Sequence, residues 1–324
     1  MKLSKDIFSK DIEQVPTRNG YGEGLVQAGK DDENVVALCA DLSDSTRSGM
    51  FRDEFPKRFV QVGIGEQSMA SVASGMSAMG KIPFISSYAM FSPGRNWEQI
   101  RTTICYNDSN VKIAGAHAGV SVGPDGATHQ AVEDIAITRV IPNMTVLVPC
   151  DSIETKKATL AAAKTKGPVY LRFAREKTPV FTTEETPFEI GRAEVFKKGK
   201  DVSIIACGPL VYNALLVAKE LEKEDIDCEV INNHTVKPID EKTITESAKK
   251  TGAVVTIEEH QVLGGMGSAV AEVLAKNNPT PIEFIGVQDR FGESGEPEEL
   301  IEKFGMGVEN IKEAVKKVLE RKNE

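Results

Sequence analysis

The stretch FVQVGIGEQSMASVASGMSAMGKIPFIS (59–86) decides the fold. Two short apolar runs, FVQVG (59–63) and IPFIS (82–86), flank a segment of helical character at 66–80. A strand, a glycine turn, a helix and a second apolar strand form a unit in which a helix carries the chain back across a parallel sheet. The rhythm extends in both directions. VVALCAD (35–41), VKIAGAH (111–117), TVLVPC (145–150) and PVYLRFA (168–174) read as further buried strands, with helical patterns at 95–106 and 152–165. Uniformly apolar strands separated by helices indicate a mostly parallel sheet covered on both faces.

The segment 175–200, which contains EKTPVFTTEETPFEIG, breaks this alternation and reads as a linker. The alternation then restarts with strands DVSIIACG, DCEVINN, AVVTIEEH and PIEFIGV. Helices are predicted at 209–224, 240–252 and 264–277, and a last one at 307–322. The expected architecture is α/β with two doubly wound units, residues 1–185 and a smaller unit at 186–324.

The 324 residues carry a net charge of −9 with dispersed basic residues, which argues against nonspecific nucleic-acid binding. No apolar run approaches the ~18 residues of a membrane span. The N-terminal MKLSKDIFSKDIEQV lacks a signal-peptide core. Cys39, Cys105, Cys150, Cys207 and Cys228 are scattered without a CxxC pair, as expected of reduced packing thiols in a cytoplasmic protein.

In GIGEQSMASVASGMSAMG (63–80), Glu66 falls in the first helical turn, where a carboxylate favours the helix dipole. The helix carries so little charge that it is expected to be buried on nearly every side. A carboxylate at its mouth would be desolvated and would need a partner, which suits a group that shares a proton with a heterocycle. Tyr88 and Phe91 lie just past a strand end, where open α/β sheets place ligands; they fit either core packing or stacking on a planar ring. AHAGVSVGPDGATHQAVED (116–134) holds His117 and His129 with Asp125 between them in a glycine-rich loop. Polar groups clustered there suggest substrate contacts ahead of a metal, because the spacing matches no standard zinc pattern. Arg172 and Arg175 end a strand, where a guanidinium either binds phosphate or sits at the surface. GGMGSAV (264–270) reads as a close-packed helix start, since no acidic residue follows where a dinucleotide fingerprint needs one.

Together these segments resemble the transketolase family of thiamin diphosphate enzymes, from about Thr17 to the C-terminus. The resemblance implies that Glu66, in GIGEQ, contacts the cofactor's aminopyrimidine, with Phe91 stacking and Tyr88 beside it. ADLSDS is similar to a family segment that places Asp41 near the cofactor and Ser45 at the substrate phosphate, and PTRNGYGE supplies a phosphate arginine, Arg18. HAGVSVGPDGATHQ resembles the family loop in which His117 binds phosphate and contacts substrate while Asp125 and His129 hold its hydroxyls. RFAR puts the further phosphate arginine at Arg175 and leaves Arg172, like His260, without a role. A third aromatic of the family pattern falls at Gly94, so a more open ring pocket is expected.

The activity implied is transfer of a two-carbon ketol unit between sugar phosphates, with Glu66, His117, Asp125 and His129 at the reacting end. The family's Gly-Asp-Gly…Asn segment, which binds the diphosphate through magnesium or calcium, has no counterpart here. No metal ligand is therefore expected from this chain. A separate N-terminal subunit would supply that site, and pairing of like domains implies an α2β2 assembly. A 2-oxoacid dehydrogenase beta subunit and a deoxyxylulose-5-phosphate synthase share much of this pattern; DGATHQ suits a polyhydroxylated substrate better than a short oxoacid.

Overall fold

The computed structural model describes residues 2–323. Its apolar strands sort into two main sheets. The larger has the order Thr235–Lys237, Thr145–Leu147, Val169–Arg172, Lys112–Ala116, Ile82–Tyr88, Val35–Cys39, Phe59–Gln61, parallel throughout except at the first pair. The smaller runs Ile282–Val287, Val254–Gln261, Val202–Ala206, Cys228–Asn232, Glu194–Lys197, with only the last pair antiparallel.

Alternation along each strand builds two cores on opposite faces of the larger sheet. Leu38, Ile85 and Ile113 pack with Met69, Ala70 and Ala73 of the helix Glu66–Ala78, and this core continues to Ile205, Ile231 and Met266 of the second unit. Ala37, Phe84 and Ala114 face the other way, against Tyr21, Leu25, Ala158 and Ala162. Those four belong to the helices Thr17–Asp31 and Ser152–Lys164, whose backbones lie unusually close. A Cβ on Gly20 would sit 1.9 Å from the Ser152 carbonyl oxygen. All five cysteines are free and buried, as their apolar surroundings predict. GGMGSAV does start a helix, Met266–Asn277, whose first amides are capped from within: Met266 N and Gly267 N donate to the Glu258 carboxylate at 2.6 and 2.8 Å.

Four expectations need correction. The 175–200 segment is not a plain linker: Lys177–Pro179 pairs with Gln14–Pro16, and Glu194–Lys197 closes the second sheet. Residues past 200 are not confined to the second sheet, because Thr235–Lys237 crosses to edge the first, pairing with Thr145–Leu147. The predicted 95–106 helix is a short turn, Trp97–Gln99, followed by a π-helical stretch, Ile100–Cys105. The helix Glu66–Ala78 is not buried on nearly every side of this chain: Gln67, Ser71, Val72 and Gly75 are exposed, and Ile64 and Met79 beside it are 76% and 83% exposed.

Arg172, unassigned from sequence, is 4% exposed and ties the units together. Its Nε donates to Asp134 Oδ2 at 2.8 Å and its Nη2 to the Glu259 carbonyl at 2.7 Å. Tyr170 donates to the same carboxylate oxygen at 2.6 Å. Removing one partner of a buried ion pair costs roughly 3–5 kcal/mol. Arg172→Met should lower the unfolding free energy by about that much in urea titrations; a loss under ~1 kcal/mol would show that Arg172, paired with Asp134 in the first unit and bonded across to Glu259, does not hold the structure together.

Candidate functional site

The predicted site residues collect at the carboxyl ends of the parallel strands, where side chains can leave the sheet without breaking its ladder. Asp41 follows Val35–Cys39, Tyr88 ends Ile82–Tyr88, His117 follows Lys112–Ala116, and Arg175 follows Val169–Arg172. Asp41 and His117 have φ of 60° and 53°, so the chain turns sharply there and the runs read as 35–41 and 111–117 stop short as strands.

Arg18, at the start of its helix, makes the central contacts. Its Nη1 donates to the Ser45 carbonyl and to His117 Nε2, both at 3.1 Å. Arginine has only donors, so Nε2 accepts and the imidazole proton resides on Nδ1. His117 is 1% exposed, and its Nδ1 is buried without a protein partner, as is Arg18 Nε. Burial, then the charges of Arg18, Arg175, Arg47 and His129, push the His117 pKa down to about 3. Arg18 is itself lowered by burial and by Arg47 and Arg175. Several cations thus crowd one spot with two buried donors unmet, an arrangement that fits an anion. It does not fit a metal, because Nε2 of His117 already faces a guanidinium.

Next to this spot lies an aromatic wall. The Tyr88 ring meets His117 edge-on at 4.1 Å and lies 6.0 Å from Phe91 at an interplanar angle of 17°. His129 closes it, 5.4 Å from Phe91 and 6.2 Å from Tyr88. Asp125 lies at the end of the 3₁₀ segment Val120–Asp125, and Arg175 Nη1 reaches it at 3.4 Å while donating to the Val122 carbonyl at 2.8 Å. At the far end of the wall Glu66 is 2% exposed and accepts from Arg95 Nη1 at 2.7 Å. The Arg95 guanidinium lies 4.8 Å from the Phe91 ring centre. Glu66 therefore has the partner that burial demands, a planar cation over an aromatic ring.

A continuous run of contacts thus leads from Glu66 through Arg95, Phe91, Tyr88 and His117 to Arg18 and Ser45. Asp41 stands apart: among the described contacts its backbone N–H donates to Gln61 Oε1 at 2.8 Å and its side chain joins none of these groups. For Ser45 it is the carbonyl, not the hydroxyl, that Arg18 contacts. A side chain at Gly94 has no room, since a Cβ there would lie 2.0 Å from the Met90 carbonyl oxygen. Two residues escaped the sequence reading. Arg95 lies four residues past Phe91 and in sequence resembles any surface arginine. Arg47 lies two residues beyond Ser45, held by its Nε to Asn19 Oδ1 at 2.9 Å.

The structure sets a pH dependence. The His117 pKa is about 3 against an ordinary 6.5, so between those values the unfolded chain binds a proton that the folded chain refuses. Stability is lost as pH falls through that window, by up to ~1.4 kcal/mol per unit. His234, pushed down to about 3 by burial, adds a second such contribution. His117→Asn should flatten the fall in urea midpoint between about pH 6 and pH 4 relative to wild type; an unchanged slope would contradict a neutral, buried His117.

Residues 13–180 match the family described as "Transketolase, pyrimidine binding domain", and residues 191–311 match "Transketolase, C-terminal domain". A Methanocaldococcus jannaschii protein described as a transketolase C-terminal section is 46% identical over 91% of this chain and 93% of its own length. A 6-deoxy-6-sulfo-D-fructose transketolase subunit of Clostridium sp. is 41% identical over 98% of both chains. Human transketolase is 36% identical over 94% of this chain but only 49% of its own length. A solved structure described as a split-gene transketolase, an inactive beta4 tetramer, is 48% identical with a TM-score of 0.89, covering 95% of this chain and 99% of its own.

Proposed function

We propose, from the premise that this chain belongs to the transketolase family, that it provides the pyrimidine-side half of a thiamin diphosphate site and acts on sugar phosphates. It is a C-terminal subunit of the split transketolase type. The observation that carries the reading is the unbroken run from the buried Glu66 carboxylate along the aromatic wall to the Arg18–His117 cation cluster. It sets a place for a nitrogen heterocycle beside a place for an anion.

Thiamin diphosphate, when bound, supplies the carbon nucleophile and electron sink for breaking and making a carbon–carbon bond. Glu66 would hydrogen-bond a ring nitrogen of the aminopyrimidine and share a proton with it, with Phe91 and Tyr88 against its face and Asp41 nearby. Neutral His117 offers Nδ1–H as a donor, while Arg18, Ser45 and Arg175 hold the substrate phosphate. Asp125 and His129 orient the sugar hydroxyls. Arg47 joins the phosphate group as an additional cation. We place the boundary between the two units near residue 185, between the two matched stretches 13–180 and 191–311.

The partner would be an N-terminal subunit bearing the diphosphate and magnesium or calcium site, in an α2β2 assembly. The open face of the helix Glu66–Ala78, with Ile64, Val72 and Met79 exposed, supports an interface there. The cation cluster of Arg18, Arg47 and Arg175 around His117 supports an anionic sugar as the substrate class. The sulfosugar relative shows that this family also accommodates subunits named for another anionic sugar.

Three outcomes test this reading. This chain alone should show no ketol transfer from xylulose 5-phosphate to ribose 5-phosphate and should gain it with the partner; full activity of this chain free of partner by mass spectrometry would overturn the split-site reading. In the assembled protein, Glu66→Gln should abolish deuterium exchange at the cofactor's C2 position, followed by NMR, and rapid exchange in that variant would remove Glu66 from its role. Arg175→Ala should weaken phosphorylated sugars mainly in affinity, by the ~1.5–3 kcal/mol of a charge-assisted contact. Equal loss for unphosphorylated sugars would refute the phosphate assignment.

A further inference from the structure

The second unit carries none of the predicted site residues, yet it presses on the site loop along much of its length. We infer that this unit is the mould of the loop bearing Asp125 and His129, and that Gln130 is the positioning residue through which it acts. The inference extends the proposed function, and its kinetic arm rests on that reading.

Gln130 is 2% exposed and follows His129 directly. Its Nε2 faces three carbonyl oxygens: Val120 at 3.0 Å and Gly123 at 3.2 Å within the loop, and Glu293 of the second unit at 2.9 Å. Only the NH₂ end of the amide can face three acceptors, which settles its orientation. One side chain thus closes the loop on itself and fastens it to the 288–297 segment. Oε1 points at Gly292 and has no hydrogen-bond partner; a Cβ on Gly292 would lie 1.8 Å from it. The segment approaches as closely as a glycine backbone permits.

Two further contacts grip the same loop. Glu259 of the second sheet, 3% exposed, accepts from Ser121 N at 2.6 Å. Pro297 sits against Gly123, whose φ of 80° makes the kink before Asp125; a Cβ there would be 3.1 Å from Pro297 Cγ. Asp125 and His129 themselves lie at or near the surface, and among the described residues the Asp125 carboxylate pairs with Arg175. Their positions depend on the backbone beneath them, which the second unit shapes. Positioning of this kind affects recognition of the sugar and the closing contact of His129 on the wall, while Glu66, Phe91 and Tyr88 keep their places because they come from other elements.

The test uses two variants that perturb the joint from opposite sides. Gln130→Leu keeps the volume and removes the two N–H donors that the three carbonyls share. Gly292→Ala, on a partly exposed segment, adds a methyl against the Gln130 amide from the second unit while leaving the loop's own sequence unchanged. In each, amide hydrogen exchange across 119–131 of this chain should quicken about tenfold or more while that of 82–88 holds. In the assembly with the partner, KM for the sugar phosphates should rise about tenfold with thiamin diphosphate affinity within about twofold of wild type. Unchanged exchange at 119–131 in both variants, or a matched loss of cofactor affinity, would overturn the inference. A wild-type assembly without ketol transfer would refute the proposed function alone, and the exchange arm would still decide the role of Gln130.

Discussion

The site depends on a guanidinium that donates to an imidazole. An ordinary buried arginine finds a carboxylate, as Arg172 finds Asp134 at 2.8 Å. Arg18, half-buried, instead donates to a carbonyl and to His117 and makes no ion pair with a carboxylate among the described residues. The contact fixes the imidazole tautomer, keeps the ring neutral and leaves Nδ1–H free to donate. It also joins three separate parts of the chain: the start of the first helix, the turn bearing Ser45, and the crossing after Lys112–Ala116. A positive electrostatic centre with unmet donors is costly in isolation and becomes favourable with an anion present.

The remaining architecture serves that centre. Close packing of Thr17–Asp31 on Ser152–Lys164 through Gly20 fixes where Arg18 emerges. The parallel sheet brings Tyr88, His117 and Arg175 to one edge. The ion pair of Arg172 with Asp134 and its bond to the Glu259 carbonyl hold the second unit in register beneath the site loop. The two units share a continuous apolar core, so they move as one body more readily than as two hinged domains.

Much of this was legible in the sequence where physics left a strong local signal. The uniformly apolar runs were strands because only a sheet covered on both faces tolerates them, and loops at their ends drew attention to Glu66, Tyr88, His117 and Asp125. The helix Thr17–Asp31 was hidden by Gly20, Gly22, Gly24 and Gly29, which lower helix propensity yet allow the close approach that stabilises it. Thr235–Lys237 is too short to read as a strand and acquires its partner from the other unit. Arg95, Arg47 and Gln130 gave no signal, because their importance lies in what tertiary structure places opposite them. The low charge of residues 66–80 points to burial on nearly every side; within this chain it leaves an open face, and only a second chain could complete that burial.

The central claim is that this chain holds the pyrimidine end of a cofactor whose other end belongs to a second subunit. Calorimetric titration of thiamin diphosphate with magnesium tests it most directly, into this chain, into the partner, and into their mixture. The account predicts saturable binding in the mixture and weak binding to either chain alone. Binding to this chain alone with the affinity of the mixture would contradict it.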